Sequence, residues 1–416
     1  MGITTKKRLL IIGYTWPEPY TTAAGSRMLQ LIRCFQDQQY DITFASTGTK
    51  SEHSLDLSEL GIKEQKIVLN DSGFNAFVQT LDPMMVMFDR FLTEEQFGWR
   101  VAEFAPNALR ILDTEDLHSL RQVREQLFKK NIPFSTDTWL QSDVTKREIA
   151  AIYRCDLSLI ISTYEMELLE QGVNIDKKLL LHLPFQFDRI GDDRISDWPD
   201  FNSRKDFICV GNGKHSPNVD AVLWLHKVIW PQIRQTLPHA NLHVYGGYLP
   251  QQLHQLHNPA IGFNIIGWTK SVGTVMEQHR VNLAPLRFGA GLKGKLIDAM
   301  IYGTPSVTTS IGAEGMHGDL DWCGSLADDA INFAQAATDL YTDKKQWVHA
   351  QQKGVQILNT YYDREVVALK FRTSLSALQN NIENHRNSNF LGALLRHQTL
   401  NSTKYMSKWI EAKHTK

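Results

Sequence analysis

The residues best suited to chemistry lie about two thirds of the way along the chain, in residues 284–300, whose sequence is APLRFGAGLKGKLIDAM. The pattern predicts a strand end, a glycine-rich loop and then a helix that starts near Gly291 and stops at Gly303. Gly289 and Gly291 let the backbone approach a bulky anion, because glycine has no Cβ to clash with it. The start of the helix adds unpaired N–H groups and about half a positive charge. The stretch therefore predicts an anion-binding site.

Two lysines narrow the kind of anion. Lys293 and Lys295 fall in the first turn of the predicted helix, where the helix dipole by itself favours acidic residues. Such a local conflict tends to mark a functional site, and here the two ammonium groups would hold a diphosphate. Asp298, one turn further along, would accept hydrogen bonds from ribose hydroxyls. The alternative is a solvated helix behind a flexible loop, with Asp298 paired to a neighbouring lysine.

The size and charge of the chain bound its class. It has 416 residues, enough for two or three domains, and 42% hydrophobic and 21% charged residues, as expected of a globular α/β protein. The formal net charge is −1, so no overall field attracts nucleic acid or an anionic membrane. Nucleic acid is not an expected partner, and any anionic ligand must be bound by local groups.

Four scattered cysteines, without CxxC pairs, favour a reducing compartment and predict neither a disulfide framework nor a metal site. The apolar run that follows the N-terminal lysines is about five residues long, shorter than the 7–15 residues of a signal sequence. No stretch approaches the roughly 18 apolar residues of a membrane-spanning helix. The chain is expected to be cytoplasmic. Any membrane association is expected to be peripheral contact at the inner face of the membrane.

Short apolar runs alternate with longer amphipathic stretches through most of the chain, which predicts parallel sheets covered by helices on both faces. In the first half the predicted strands are Arg8–Gly13, Asp41–Thr47, Lys66–Leu69, Met84–Phe88, Leu109–Asp113, Asp156–Ser162 and Leu179–Leu183. In the second half they are Phe207–Gly211, Asn241–Tyr245, Phe263–Ile266, Val281–Pro285 and Ser306–Thr309.

The polar, Asp-rich stretch Asp188–Arg204 interrupts this alternation and predicts a linker. The expected fold is therefore α/β, with two Rossmann-like domains facing each other across a cleft. Residues 1–187 would form the first domain and residues 205–360 the second. Residues 361–416 would supply helices that pack back on the first domain, a polar tail and an amphipathic helix near Phe390–Leu400. Because ligands bind at the carboxyl ends of parallel strands, the cleft is the predicted site.

The loop that follows the first strand of each domain is the next candidate. The first loop, residues 14–27, has no GxGxxG pattern, which counts against a nicotinamide-dependent enzyme. Its aromatic residues would either stack on a sugar or anchor the loop in the core; they are Tyr14, Trp16 and Tyr20. In the second loop Lys214 and Asn218 would approach phosphates. There Ser216 is predicted to cap a helix that has Pro217 at its first position.

These pieces together resemble retaining GT-B glycosyltransferases of the glycosyltransferase group 1 family, and are family 4-like. The glycine-rich segment and its helix, residues 284–307, carry most of the resemblance. Further matching pieces occur in order along the chain: Leu112-Asp-Thr-Glu-Asp-Leu-His-Ser-Leu-Arg121, Phe207-Ile-Cys-Val-Gly211, Pro217-Asn218, Trp230-Pro231, Tyr245-Gly246, Gly267-Trp268 and Thr308-Thr-Ser-Ile-Gly-Ala-Glu-Gly-Met316. The resemblance covers roughly residues 8 to 375.

The resemblance implies roles for particular residues. Asp298 stands where the family usually has a ribose-binding glutamate, and Ala290 stands where many members have an acid that contacts the donor sugar. The implied replacement is a set of loop amides at Gly289, Ala290, Gly291 and Leu292, with Lys293 or Lys295 neutralising the departing diphosphate. His118 would reach the donor sugar, or else be a structural histidine bonded to a nearby acid. Gly25 would approach the phosphates or the acceptor, and Glu314 lies in a loop that would face the donor.

The implied activity is transfer of a sugar from a nucleotide-diphosphate sugar to a glycan or lipid-linked acceptor, with retention, in cell-surface glycan synthesis. The resemblance implies neither a metal nor another cofactor. Two alternatives remain open: a catalytically degenerate subunit that binds nucleotide sugars, and an epimerase of GT-B type. The basic stretch Arg121–Lys130 would meet a membrane or form a solvated helix face, with Arg121 and Arg124 interpreted as surface or ion-pair residues.

Overall fold

The computed structural model describes residues 7–397 and 400–414. Its first half forms a seven-stranded parallel sheet with the order β3-β2-β1-β4-β5-β6-β7. The strands are β1 Lys7–Gly13, β2 Tyr40–Ser46, β3 Lys63–Lys66, β4 Met85–Asp89, β5 Leu109–Asp113, β6 Leu157–Ile160 and β7 Leu180–His182. The central strands are buried from end to end, as expected of a parallel sheet with both faces covered.

The second half forms a six-stranded parallel sheet with the order β10-β9-β8-β11-β12-β13. Its strands are β8 Lys205–Val210, β9 Leu242–Tyr245, β10 Phe263–Gly267, β11 His279–Ala284, β12 Ser306–Thr308 and β13 Gly324–Leu326. The prediction of two parallel α/β units is confirmed. Most predicted strands lie within three residues of the observed ones, but β13 was missed because it is short and only half-buried.

Helices connect the strands and cover both faces of each sheet. In the first lobe they are α1 Ala23–Gln36, α2 Gly73–Leu81, α3 Phe91–Phe104, α4 His118–Lys129, α5 Thr136–Gln141, α6 Asp143–Arg154 and α7 Thr163–Glu167. In the second lobe they are α8 Asp192–Ser196, α9 Ser216–Trp224, α10 Trp230–Thr236, α11 Gln251–His254, α12 Val272–Gln278, α13 Gly294–Ile301, α14 Ser310–Ala313, α15 Ala330–Thr342 and α16 Lys344–Tyr361. The C-terminal helices are α17 Arg364–Asn380, α18 Ile382–Ser388, α19 Phe390–Arg396 and α20 Leu400–His414.

The C-terminal helix α17 packs against the first sheet rather than the second. Its buried side chains Val367, Phe371 and Leu375 join the apolar cluster that covers one face of β1 and β4. Phe371 lies edge-on to Phe35 of α1, with ring centroids 5.3 Å apart. The chain therefore crosses between the lobes twice. The domain limits drawn from the sequence stay a prediction.

Part of the stretch predicted as a linker is buried in the structure. Asp192 and Asp193 begin the short exposed helix α8, as their polarity indicated. Arg204, however, is fully buried, and its guanidinium donates to the carbonyl of Tyr302 at 2.9 Å and to the hydroxyl of Thr304 at 2.7 Å. The chain between the lobes is thus tied to the end of α13, because a buried guanidinium needs every donor paired.

One local prediction in the second lobe was wrong. Ser216 does not cap α9: the capping position is His215, and the Ser216 hydroxyl instead donates to Glu125 of the first lobe at 2.7 Å. The predicted helix after Pro217 is present, and it continues from α9 through a wide π-type turn into α10. The amphipathic helix predicted near Phe390–Leu400 corresponds to α19, although residues 398 and 399 lie outside the described part. Among the described residues no helix is long and apolar enough to cross a bilayer.

Candidate active site

Three loops that follow strand ends meet where the strand order of each sheet reverses. The reversal lies between β1 and β4 in the first sheet and between β8 and β11 in the second. The loops are residues 14–22 after β1, residues 211–215 after β8 and residues 285–293 after β11. Ligands of open parallel sheets bind beside such reversals, at the carboxyl ends of strands. These loops, with the helices that follow them, define the candidate site.

Residues 285–293 are called the donor loop here, after the role predicted for them. The helix that follows them, α13, begins later than predicted. The helix begins at Gly294 rather than near Gly291, and Lys293 occupies the capping position with φ −93° and ψ 95°. Gly291 has φ +63°, a left-handed conformation that a side chain disfavours. The predicted need for glycine in this loop therefore has a direct structural reason. Among the described residues none accepts a hydrogen bond from the backbone amides of Gly294 and Lys295.

The starts of two helices face each other across the cleft. A Cβ built on Gly294, the first residue of α13, would lie 2.7 Å from the Cβ of Ala23, the first residue of α1. Gly25 packs so tightly in the first turn of α1 that a Cβ would strike the backbone of Glu18, and its amide donates to the Thr22 hydroxyl at 2.9 Å. Each helix start carries partial positive charge, so the surface beside their contact favours anions.

The two lysines at the start of α13 differ in exposure, since Lys295 is only half-buried. Lys293 is buried and its ammonium donates to the Gly291 carbonyl at 2.7 Å. Burial lowers its pKa, while the nearby carboxylate of Glu314 acts in the opposite direction. The Lys295 ammonium donates to the Asn218 side-chain carbonyl at 2.6 Å, and burial lowers its pKa as well. Both cations would gain from an added anion, because neither has a close carboxylate partner of its own.

The loop after β8 divides its two predicted phosphate contacts. Asn218 lies with Lys295, and its amide also donates to the Asn212 carbonyl at 3.0 Å. Lys214 points elsewhere: its ammonium lies 3.4 Å from the centroid of the Tyr248 ring. The Tyr248 hydroxyl in turn donates to Glu18 of the first lobe at 3.1 Å. Lys214 therefore belongs to a contact between the lobes, separate from the pair Lys295–Asn218.

Asp298 is half-buried, and its carboxylate has no hydrogen-bond or ion-pair partner among the described residues. No described residue donates a hydrogen bond to its carboxylate, which excludes the pairing with a neighbouring lysine. Burial raises its pKa to about 7. An acceptor that is withdrawn from much of the solvent and left unpaired by the protein is well suited to a ligand hydroxyl, because the ligand would then supply the missing donors. The predicted contact with a ribose stays a prediction.

The isolation of Asp298 has a consequence for stability. The folded protein holds the Asp298 proton up to pH about 7, whereas the unfolded chain releases it near the ordinary value of 3.8. Between these values the folded state binds more protons, so this group makes stability fall as pH rises from about 4 to about 7. We expect Asp298→Asn to stabilise the protein by about 2–4 kcal/mol at pH 8 and by little at pH 4. Urea unfolding at both pH values measures the difference.

The control for that experiment is Asp192→Asn, which alters an exposed aspartate on α8. This control should leave the pH dependence of stability unchanged. A stabilisation of Asp298→Asn that is equal at pH 4 and pH 8 would contradict the assignment, since a neutral amide differs from the protonated acid only in shape. Loss of the folded state at both pH values would point instead to a structural role of the carboxyl group.

His118 begins α4 beside an acid. Its Nε2 lies 3.2 Å from a carboxylate oxygen of Asp116, and the side chain is largely buried. Burial lowers the pKa of the imidazole to about 3, so the ring is neutral at pH 7. The Asp116 carboxylate also pairs with Arg121, with 2.7 Å between Nε and the oxygen. The contact with Asp116 is the one that the structural alternative for His118 describes, and a role toward a donor sugar stays a prediction.

Glu314 connects the lobes. Its carboxylate accepts two hydrogen bonds from Arg124 of α4, at 2.7 and 2.8 Å, in a bidentate ion pair. Arg124 also donates to the carbonyl of Gly289 at 2.9 Å. The interpretation of Arg124 as an ion-pair residue is therefore correct, but the pair is buried and holds the donor loop. Within the basic stretch Arg121–Lys130, the side chains of Arg121, Arg124 and Lys129 already pair with acids. Little of its positive charge is therefore available to contact a membrane.

The remaining loop residues pack into the two lobes. Ala290 belongs to the apolar cluster of the first sheet, and Leu292 to a cluster between the lobes that includes Ile161 and Phe185. The donor loop therefore contacts the first lobe through both side chains. Because Ala290 and Leu292 turn their side chains to apolar neighbours, only their backbone amides are available to a ligand.

Sequence reasoning missed Glu165, which faces the donor loop from the first lobe. This residue of α7 accepts hydrogen bonds from the amide of Leu117 at 3.0 Å and from the amide of Gly291 at 2.8 Å. Burial raises its pKa, and Asp116 adds to the effect. A lone acid in a short helix carries no motif, and only the folding of separate segments brings it to Gly291.

A group of three acids lies at the carboxyl ends of β4 and β5. The carboxylates of Asp89, Asp113 and Glu115 approach within 4.8 Å of one another. Arg27 pairs with Asp113 at 2.9 Å and Arg90 with Asp89 at 3.1 Å, so the acids already have cationic partners. Burial raises the pKa of Glu115 to about 8. A buried proton and two guanidinium groups can balance the charge of these three acids without a metal ion.

The aromatic residues of the loop after β1 divide between the two roles predicted for them. Trp16 is buried, and its indole N–H donates to the Gly48 carbonyl at 2.9 Å, so it anchors the loop. Tyr14 and Tyr20 are exposed, and the guanidinium of Arg90 lies 5.3 Å from the Tyr14 ring centroid. Only the two tyrosines remain available to stack on a sugar.

Part of the second lobe matches a known protein family. Residues 204–343 match the family model described as Glycosyl transferases group 1. The matched region runs from β8 to α15 and so contains the donor loop, both lysines and Glu314. No functionally curated protein matches the sequence.

Solved structures resemble nearly the whole chain. Sucrose-phosphate synthase from Thermosynechococcus elongatus aligns with 90% of this chain and 99% of its own, with a TM-score of 0.65 and 14% identity. Anabaena HepE, solved with UDP and glucose, aligns with 90% of this chain and 100% of its own, with a TM-score of 0.65 and 13% identity. WaaG, a glycosyltransferase involved in lipopolysaccharide biosynthesis, aligns with 88% and 98%, with a TM-score of 0.59 and 10% identity. At these identities the similarity shows the fold, which is the two-lobed GT-B arrangement.

Proposed function

We propose that this chain, a glycosyltransferase by its group 1 domain and GT-B fold, moves a sugar from a nucleoside-diphosphate sugar to a hydroxyl acceptor with retention of configuration. The observation that carries the proposal is the approach of two helix starts, Ala23 and Gly294, beside the ammonium groups of the buried Lys293 and the half-buried Lys295. Two positive helix ends and two cations favour a ligand with adjacent negative charges. A diphosphate is such a ligand.

The rest of the donor would extend along the second lobe. The unpaired amides of Gly294 and Lys295 would bind phosphate oxygens, and the unpaired carboxylate of Asp298 would accept from the ribose hydroxyls. Structures that resemble this chain support the ligand class, because HepE was solved with UDP and with UDP-glucose. The donor would thus lie across the amino end of α13, with its sugar toward the first lobe.

The reaction would break the bond between the anomeric carbon and the diphosphate oxygen and form one between that carbon and the acceptor oxygen. For retention, the acceptor would enter on the face that the diphosphate leaves. The acceptor proton would pass to the leaving phosphate oxygen, so the products are a nucleoside diphosphate and a glycoside. The protein would contribute positioning and stabilisation of charge on the diphosphate. Neither a metal nor another cofactor is part of the proposal.

The acceptor side would be the first lobe. WaaG acts in lipopolysaccharide biosynthesis, and a TarM variant was solved with an α-GlcNAc-glycerol and UDP. These relatives support a glycan or lipid-linked acceptor and a role in cell-surface glycan synthesis. A lipid-linked acceptor would bring the chain to the inner face of a membrane as a peripheral protein.

Donor binding can be tested by thermal unfolding with a panel of nucleotide sugars and the matching free nucleotides. A donor present at about 100 times its dissociation constant should stabilise the protein by about 2.7 kcal/mol. The free nucleotide should stabilise less at equal concentration, because it lacks the sugar contacts. If no nucleotide sugar raises the melting temperature at millimolar concentration, the donor assignment fails.

Product analysis separates the proposal from its alternatives. A transferase forms product only when acceptor is added, whereas an epimerase of GT-B type converts the donor alone. A degenerate subunit would bind the donor and turn nothing over with any acceptor. The anomeric configuration of the product, read from its proton coupling constants, should match that of the donor. A product of opposite configuration would exclude the retaining mechanism.

A further inference from the structure

The C-terminal segment from residue 390 to residue 410 concentrates exposed apolar side chains on two helices. On α19 these are Phe390, Leu391 and Leu394, which are 73%, 50% and 53% exposed. On α20 they are Tyr405, Met406, Trp409 and Ile410, which are between 43% and 62% exposed. Groups of exposed apolar side chains mark interaction sites, because isolated exposed residues are common but groups are rare.

Helix α19 is held to the first lobe by its other side. A Cβ on Gly392 would collide with the carbonyl of Tyr153 in α6, and the Asn389 amide donates to the same carbonyl at 2.8 Å. Arg396 donates to the carbonyl of Arg154 at 3.1 Å. Phe390, Leu391 and Leu394 occupy positions i, i+1 and i+4, so they share the side of the helix that faces away. These side chains point outward from a fixed helix.

Helix α20 repeats the same spacing. Tyr405, Met406, Trp409 and Ile410 occupy positions i, i+1, i+4 and i+5 and therefore form one face, which also carries Lys413 at i+8. None of them belongs to a buried cluster of the described residues. The aliphatic stem of Lys413 brings its ammonium within 3.7 Å of the Trp409 ring centroid. An amphipathic helix with tryptophan, tyrosine and lysine is typical of a segment that lies at a membrane interface.

Charge distinguishes this segment from the rest of the chain. From residue 390 to the end, the only acid is Glu411, whereas the cations are Arg396, Lys404, Lys408, Lys413 and Lys416. With five cations and one acid this segment carries +4, whereas the whole chain has a net charge of −1. An anionic lipid surface therefore complements this segment rather than the rest of the molecule.

We propose that α19 and α20 dock the protein on an anionic membrane surface, with α20 lying in the plane of the interface. Helix α20 has 15 residues, fewer than the roughly 20 needed to span a bilayer, so it can only lie along the surface. A second copy of the chain is a poorer occupant, because a symmetric pairing of α20 would bring its lysines against those of the partner. The inference does not depend on the proposed function, since it concerns a surface that the site does not use.

The test is co-sedimentation of the full chain with vesicles of phosphatidylcholine, with and without phosphatidylglycerol. Binding is expected only to vesicles that contain phosphatidylglycerol, and it should decrease as salt rises, because salt screens the lysines. The double variant Lys404→Gln/Lys408→Gln should bind about thirtyfold more weakly. The double variant Trp409→Ser/Ile410→Ser should bind at least about tenfold more weakly, since its apolar face is lost.

Matched controls lie on the second lobe. Ile331→Ser removes an apolar side chain that is 72% exposed on α15, and Lys344→Gln/Lys345→Gln removes two exposed charges from α16. Both controls should bind vesicles as the unmodified chain does. All these side chains are exposed, so the melting temperature and the turnover of soluble donor should not change, and a failure here leaves the proposed function intact.

Three results would overturn the inference. The first is the absence of binding to vesicles that contain phosphatidylglycerol. The second is binding that the α20 variants leave unchanged. The third is a dimer in lipid-free solution that Trp409→Ser/Ile410→Ser converts to a monomer, since the apolar face would then be covered by a second copy. Light scattering of both proteins without lipid measures this last outcome.

Discussion

Replacing Lys293 by alanine should lower the turnover number about 10²–10³-fold at saturating donor, which corresponds to roughly 2.7–4 kcal/mol of lost transition-state stabilisation. The ammonium lies at the start of α13, donates to the Gly291 carbonyl and is shielded from water. In such a place a positive charge acts strongly on the negative charge that develops on a departing diphosphate. The donor dissociation constant should change less than turnover, because the charge grows only as the bond breaks.

Steady-state kinetics with the donor found in the thermal screen, and an excess of acceptor, measure this effect. Lys293→Met keeps the aliphatic stem and should lose activity to a similar extent, which excludes a cavity as the cause. Lys270→Ala, at an exposed position of the same lobe, should retain activity. Full turnover of Lys293→Ala with unchanged melting temperature would remove Lys293 from the mechanism. If Lys295→Ala alone lost turnover, the role would pass to Lys295.

Adding a single methyl group at the start of α13 should be the second most damaging change. A Cβ on Gly294 would lie 2.7 Å from the Cβ of Ala23, so Gly294→Ala forces the two helix starts apart by about 1 Å. A displacement of this size between groups that hold the reacting atoms can cost about 10²-fold in rate. The second lobe itself should tolerate the change, because alanine is a better helix former than glycine.

The matched partner of this variant tests the cause directly. Ala23→Gly removes the opposing methyl group, so the double variant Gly294→Ala/Ala23→Gly should recover most of the lost turnover. Gly191→Ala adds a methyl group where no atom lies within 4 Å and should have no effect. The melting temperature of Gly294→Ala should stay near that of the unmodified chain. A loss of turnover that Ala23→Gly does not restore would show that the approach of the two helix starts is not needed for catalysis.

The fold could be predicted from the sequence because its signals are local. Buried runs such as Leu9–Gly13 and Met85–Phe88 are apolar throughout, and they are separated by amphipathic stretches of helical length. Parallel pairing and helix cover follow from that alternation. Errors arose where the local signal was weak: β13 is short and half-buried, and the chain around Arg204 is polar in sequence but buried through contacts with Tyr302 and Thr304.

The sequence by itself determined that a glycine-rich loop would lead into a helix with two lysines and an aspartate near its start. These properties depend on neighbours within a few positions, as the left-handed Gly291 illustrates. The tertiary structure alone decided the environment of each charge. It brought Glu165 to the Gly291 amide, Arg124 to Glu314 and Ala23 to Gly294, over separations that no local pattern encodes. Burial and electrostatic interaction act through space. The burial and the pKa of Lys293 and Asp298 therefore depend on the tertiary structure and could not be predicted from the sequence.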